Sequence, residues 1–186
     1  MFSSSPSFRS VVNELLNNKV LIAFGSNLGN RRKNIKKGVE LLVKDGLKII
    51  RCSPYYETEP VEGVTGKKFL NGVLLVETTL KPQTLLRILQ EIEKKVGRPR
   101  THRPKESRSL DLDIIYYEDL IVNKPNLQIP HPKRLERWFV IKPAAEVAPD
   151  FSDPILKKRL SVIPACFRQE SNGFPLTTRG NDIKKK

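Results

Sequence analysis

The chain has 186 residues, of which 38% are hydrophobic and 29% charged, with a formal net charge of +14; this is enough for one domain with a real core. No apolar run approaches the ~20 residues of a membrane-spanning helix, and the two cysteines, Cys52 and Cys166, are spaced for neither a zinc site nor a disulfide framework. The positive balance favours anionic partners: nucleic acid, anionic membrane or phosphorylated small molecules.

Residues 1–18, MFSSSPSFRSVVNELLNN, are Ser-rich with a single acid, Glu14. They lack the apolar stretch of a secretory signal. A helical or disordered extension is preferred to a short organelle-targeting peptide, and the thiol content suits a reducing, cytoplasmic location. KVLIAFGSN predicts a strand over 19–24 that runs into a Gly-Ser-Asn turn. Over 30–45, Ile35, Val39 and Leu42 recur at helical spacing, with Gly46 as the stop. LKIIRCS predicts a second strand. Residues 60–68, with Pro60, two glycines and several charges, predict a mobile loop. FLNGVLLVETT predicts a third strand over 69–79. Pro82 suits the first turn of a helix whose buried face is Leu85, Leu86, Leu89, Ile92 and Val96, with Gly97 ending it.

RPRTHRPKESR, residues 98–108, holds four arginines, one lysine, two prolines and one acid, and cannot be core. SRSLDLDIIYY then predicts a strand. NKPNLQIPHPKRLER is turn-rich, with short strands and a short helix. WFVIKPAAEVAP returns to the interior. Residues 151–186 carry eight basic and three acidic residues with weak periodicity, and a poorly packed basic tail is expected there. The order β-α-β-β-α-β predicts an α+β fold of the ferredoxin-like kind, a mainly antiparallel sheet with helices packed on it. The expected division is an extension over 1–18, a domain over 19–150 and a tail over 151–186.

The sharpest feature is a pair of acids inside the apolar strand. Asp111 and Asp113 are two apart, so they share one face at about 6–7 Å. Like charges that close repel, and burial raises the cost. If the face is exposed, the acids simply meet water. Arg98, Arg100, Arg103 and Arg108 just upstream suggest another use. Paired carboxylates hold divalent metal, the metal binds phosphate, and arginines neutralise the remaining charge; Mg²⁺ favours such a set.

Other signals are weaker singly. GSNLGNR lacks the ending of a phosphate-binding P-loop and the spacing of a dinucleotide fingerprint, and reads as a strand-to-helix turn. His131 suits a turn and His102 a solvated loop. Phe69 and Phe139 are more often core than ligand platforms. Asn71, inside an apolar strand, needs partners for its amide and is able to read a polar heterocycle.

Taken in order, AFGSNLGNR, YYETEPVEG, FLNGVLLVETT, IEKKVGRPR, SRSLDLDI, IPHP and ERWFVIKPAAEVAP resemble the 6-hydroxymethyl-7,8-dihydropterin pyrophosphokinase family over about residues 19–150. The resemblance implies transfer of the terminal diphosphate of ATP to the pterin hydroxymethyl group, with release of AMP, in folate biosynthesis. The hydroxyl oxygen attacks the β-phosphorus. Two Mg²⁺ ions are held by the acids matching Asp111 and Asp113, and Asp111 also borders the pterin. Arg98, Arg100, Arg108 and Arg137 match residues that contact phosphate or stabilise transferring charge. Gln90, Glu93, Ile114 and His131 match further ATP-site positions. Phe69 and Phe139 match rings that sandwich the pterin. Asn71 matches the amide that pairs with its polar edge, helped by Thr58, Pro60 and Val61. Many members carry Trp-Gly-Pro where this chain has Lys105, Glu106 and Ser107. Some are fused to another folate-pathway enzyme, so fusion or association with such enzymes is implied. No second enzyme is recognisable in the residues after Asp150.

Two rivals lack their signatures. An RNA-binding module of this topology needs exposed aromatics on a central strand, and no strand shows them, so no nucleic-acid partner is expected. A ligand-sensing scaffold has no need of the acids, His131 and Arg137 together.

Overall fold

The computed structural model describes residues 17–60, 67–97 and 107–164. The expected N-terminal extension up to residue 16, the loop over 61–66, the arginine-rich segment over 98–106 and the tail beyond 164 lie outside the described residues.

Strand β1 (Asn18–Ser26) is apolar at almost every position because both its faces are covered. Val20, Ile22 and Phe24 face one side; Leu21 and Ala23 face the other. Strand β4 (Phe69–Thr78) repeats the arrangement, with Leu70, Leu74 and Val76 opposed by Val73 and Leu75. The two strands pair antiparallel, from Asn18 opposite Thr78 to Ser26 opposite Leu70. Strand β2 (Lys48–Cys52) flanks β4 and strand β5 (Asp111–Tyr117) flanks β1, giving the order β2-β4-β1-β5. A three-residue strand, β3 (Tyr56–Thr58), also pairs with β4. All these pairings are antiparallel, as the ferredoxin-like reading requires.

Helices α1 (Arg31–Lys44) and α2 (Pro82–Val96) cover one face. Asn30 caps α1 by accepting the Lys33 N–H, and Gly97, at φ +117°, ends α2 in the left-handed region that glycine favours. Ile35, Leu42, Leu85, Leu89, Ile92 and Val96 pack on Ile22, Leu74, Leu112 and Ile114 in one cluster. Each such side chain contributes about 1.5–3 kcal/mol on burial.

The opposite face is covered by α3 (Trp138–Val147). Val140, Ile141, Ala144 and Val147 pack on Leu21, Val73, Leu75, Ile115 and Tyr116. WFVIKPAAEVAP is therefore a helix, in spite of Pro143 within it. Two small hairpins complete the structure: β6 (Val122–Lys124) with β7 (Leu127–Ile129), and β8 (Ser152–Asp153) with β9 (Lys158–Arg159).

Over residues 151–164 the second hairpin corrects the expectation of a poorly packed tail. Leu160 and Ile163 are buried against the α3 face, and Asp153 is wholly buried. Its Oδ2 accepts from Arg134 Nε at 2.7 Å and from the Tyr116 hydroxyl at 2.9 Å. Its Oδ1 accepts the N–H groups of Ile155 and Leu156 at 2.8 and 2.9 Å. A buried carboxylate is tolerated only when paired and hydrogen-bonded in this way.

Candidate active site

The end of β1 and the starts of β4 and β5 converge at one edge of the α3 face. Register places Gly25 opposite Asn71 on one side and opposite Asp111 on the other. Ala23 lies likewise between Val73 and Asp113. Along β1 the residues on this face shrink from Leu21 to Ala23 to Gly25, so the floor sinks towards the open end. A Cβ on Gly25 would lie 2.9 Å from Asn71 Oδ1 and 3.6 Å from the Phe69 ring. The absent side chain is what leaves the space.

The resulting pocket is lined by Thr58, Phe69, Asn71, Arg108, Asp111, Asp113, Arg137 and Phe139, with Gly25 and Val140 among its remaining walls. Eight residues singled out in the sequence thus meet around one space. Asn71 is buried, and its Nδ2 donates to Thr58 Oγ1 at 2.9 Å. That bond fixes which way the amide points. Phe139 enters from the first turn of α3, and Arg137 occupies the N-cap position of that helix without a side-chain capping bond.

The repulsion between Asp111 and Asp113 is compensated in part without any ligand. Arg108 Nη1 donates to Asp111 Oδ2 at 2.6 Å, and Arg137 Nη1 lies 3.8 Å from Asp113 Oδ2. Each acid therefore has its own guanidinium. Asp113 keeps 38% of its side-chain exposure and Asp111 keeps 20%, so both remain reachable. Arg108 Nε is buried and has no hydrogen-bond partner among the described residues. Among the same residues no group of three or more His, Cys, Asp or Glu is placed to hold a metal. The donors on offer are two carboxylates beside open space. That set fits Mg²⁺, a hard ion that takes one or two carboxylates and completes its shell with substrate phosphate and water. It does not fit a closed structural zinc site.

His131 stands at the margin. Burial and then the Arg137 charge push its imidazole down to about 4, against a smaller upward pull from Asp111. It is neutral at pH 7. Its Nδ1 accepts the Lys133 N–H at 3.2 Å, so the proton sits on Nε2.

Other expected positions are placed differently. Glu93 is buried, and its Oε1 accepts the Leu112 N–H at 2.8 Å, bracing β5 from below. Gln90 is exposed on α2. The Ile114 side chain is buried among the residues beneath α1 and α2. Pro60 is half-buried just beyond β3. Val61, Arg98 and Arg100 lie outside the described residues, as do Lys105 and Glu106. Sequence reading passed over Gly25 and Asn27. The Gly-Ser-Asn turn was visible, but its use depends on which strands lie beside it.

Fold and pocket together define a ferredoxin-like domain with an aromatic-and-amide slot beside a carboxylate–arginine rim. The chain belongs to the 7,8-dihydro-6-hydroxymethylpterin-pyrophosphokinase (HPPK) family, whose model matches residues 21–149. It is similar to the 2-amino-4-hydroxy-6-hydroxymethyldihydropteridine pyrophosphokinase of Bacillus subtilis, 37% identical over 133 residues, or 71% of this chain and 79% of that protein. It is similar also to the folic acid synthesis protein fol1 of Pneumocystis carinii, 41% identical over 154 residues, or 83% of this chain and 20% of that protein. The chain spans 20–27% of the length of several longer relatives, some of them named as bifunctional or mitochondrial. Its fold is shared with the crystal structure of Plasmodium falciparum HPPK-DHPS, with a TM-score of 0.62 at 14% identity, covering 81% of this chain and 45% of that one.

Proposed function

We propose that this chain transfers diphosphate from ATP to 6-hydroxymethyl-7,8-dihydropterin, giving AMP and the pterin diphosphate. The observation that carries this reading is the junction in one pocket of an amide-and-aromatic slot with a carboxylate–arginine rim. Phe69 and Phe139 supply rings at the slot, and stacking with a few directed hydrogen bonds holds a flat heterocycle well. Asn71, aimed by Thr58, pairs with the polar edge.

Asp111 and Asp113 are the residues that would hold two Mg²⁺ ions, which when bound neutralise triphosphate charge and help to align it. Arg108 and Arg137 sit beside the acids and supply positive charge to phosphate oxygens. The Nε of Arg108, buried and without a hydrogen-bond partner among the described residues, is a further donor for phosphate. His131, neutral with its proton on Nε2, donates a hydrogen bond without adding charge. Arg98, Arg100, Gln90, Glu93 and Ile114 belong to the same proposal as ATP-site positions, Glu93 through its hold on β5. Transfer of this kind rests on positioning and electrostatics. Association or fusion with further folate enzymes is proposed from the longer relatives. A cytoplasmic location is proposed, with organelle delivery through residues 1–18 as its alternative.

The test is incubation with ATP, Mg²⁺ and the reduced pterin. AMP and pterin diphosphate should appear in equal amounts. Release of ADP, or AMP without pterin diphosphate, would overturn the reading.

A further inference from the structure

The turn that ends β1 makes bonds that a simple strand-to-helix connection does not need. Asn27 is 1% exposed. Its Oδ1 accepts the Arg108 N–H at 2.6 Å, and its Nδ2 donates to Ser107 Oγ at 3.2 Å. The Asn27 and Leu28 N–H groups both donate to the Arg108 carbonyl, at 3.0 and 3.1 Å. Ser26 Oγ donates to the Ser109 carbonyl at 2.7 Å. Both peptide groups of Arg108 are therefore held by two adjacent residues, Asn27 and Leu28, 81 and 80 positions away in the chain.

The arginine so held is the one whose guanidinium reaches Asp111 at 2.6 Å and whose Nε lacks a partner among the described residues. An arginine has a long, many-rotamer side chain, and the accuracy of its tip depends on a fixed root. We infer that Asn27 is a positioning residue for diphosphate transfer: it anchors the Arg108 backbone to β1, so that the Arg108 guanidinium meets phosphate beside Asp111. Asn27 is not among the residues that line the pocket; it acts through Arg108. The inference rests on the phosphate role proposed above for Arg108.

The plainer alternative is a buried turn amide that serves only the fold. Steady-state kinetics of the full chain separates the two, using Asn27→Ala, Arg108→Ala and the double variant, with melting temperature and pterin affinity read alongside. Asn27→Ala should raise the KM for ATP or lower kcat by about tenfold, the scale of a lost orienting contact. Pterin affinity should stay within about twofold, because Asn71, Phe69 and Phe139 are untouched. In the Arg108→Ala background, Asn27→Ala should cause no further kinetic loss. Independent, multiplying effects would overturn the inference, as would joint loss of ATP and pterin binding with collapse of the melting transition. If Asn27→Ala does not fold, Asn27→Ser, which keeps a hydroxyl in the turn, enters the same cycle. Failure of that variant to fold also overturns the inference. An Arg108→Ala enzyme with unchanged ATP kinetics refutes the phosphate role itself, a result distinct from absence of coupling in a damaged Arg108→Ala enzyme.

Discussion

The two faces of the sheet receive unequal cover. Under α1 and α2 the strands present Ile22, Leu74, Leu112 and Ile114 to a continuous apolar layer. On the other face α3 and the β8–β9 hairpin cover Leu21, Val73, Leu75 and Tyr116 and, among the described residues, stop short of Gly25, Asn71 and Asp111, which line the pocket. The same strand β5 thus lays Leu112 and Ile114 into a dry core and Asp111 and Asp113 onto a wet rim. One face is closed for stability. The other is left short at one end, and the shortfall is the pocket.

That contrast is broken most severely at the acids. Asp111→Asn and Asp113→Asn should each lower turnover by about 10²–10³-fold, the scale of losing an electrostatic group aimed at transferring charge. Because each acid already faces an arginine, neither change should raise the melting temperature much; a near-normal rate at limiting Mg²⁺ would count against the metal role. The neighbouring change on the closed face should do the reverse. Leu112→Ala, buried in that apolar layer, should cost about 2–4 kcal/mol of folding stability, measured by urea unfolding, with little change in the KM for ATP.

At the pocket floor, Gly25→Ala should place a methyl against Asn71 Oδ1 and the Phe69 ring. Pterin binding should weaken by about tenfold or more, as read by calorimetry, with ATP affinity nearly kept. Asn71→Ala should cost about 1–3 kcal/mol of pterin binding by leaving the ligand's polar edge unpaired. Equal loss of both ligands in either variant would indicate a damaged fold.

The smallest effect concerns His131. Its folded value of about 4 lies below the ordinary 6.5, so the fold favours the neutral ring. The associated stability is fully present above pH 6.5 and is lost as pH falls towards 4. It amounts to about 1–3 kcal/mol. Urea midpoints between pH 7 and 4 should fall less steeply for His131→Gln than for the parent chain; equal slopes would remove His131 as the cause.

Much of this division was legible in the sequence. The strands of 19–24 and 69–79 announce themselves by apolar runs, the helices by the spacing of Ile35 to Leu42 and of Leu85 to Val96, and the acids by their intrusion into LDLDIIYY. The family's motifs then joined residues from Thr58 to Phe139 that the fold brings around one pocket. What escaped depends on contacts across the chain. β3 has three residues, too few for any period. The α3 helix hides behind Pro143, which lacks the N–H that a helix interior normally uses. Gly25 and Asn27 acquire meaning only from register with β4 and β5. The β8–β9 hairpin has two-residue strands, and nothing near Asp153 in sequence announces Arg134 and Tyr116 as its partners.

The Asp153–Arg134–Tyr116 cluster bears on where this domain can be cut. The family match ends at residue 149, and a boundary drawn there for expression or grafting would leave the Arg134 guanidinium buried without its counter-ion. Removing one member of such a pair costs about 3–5 kcal/mol, and the excision would also strip Leu160 and Ile163 from the α3 face. A self-sufficient module therefore has to keep its last anchor at Ile163, and a linker to any further domain is best grafted beyond that residue.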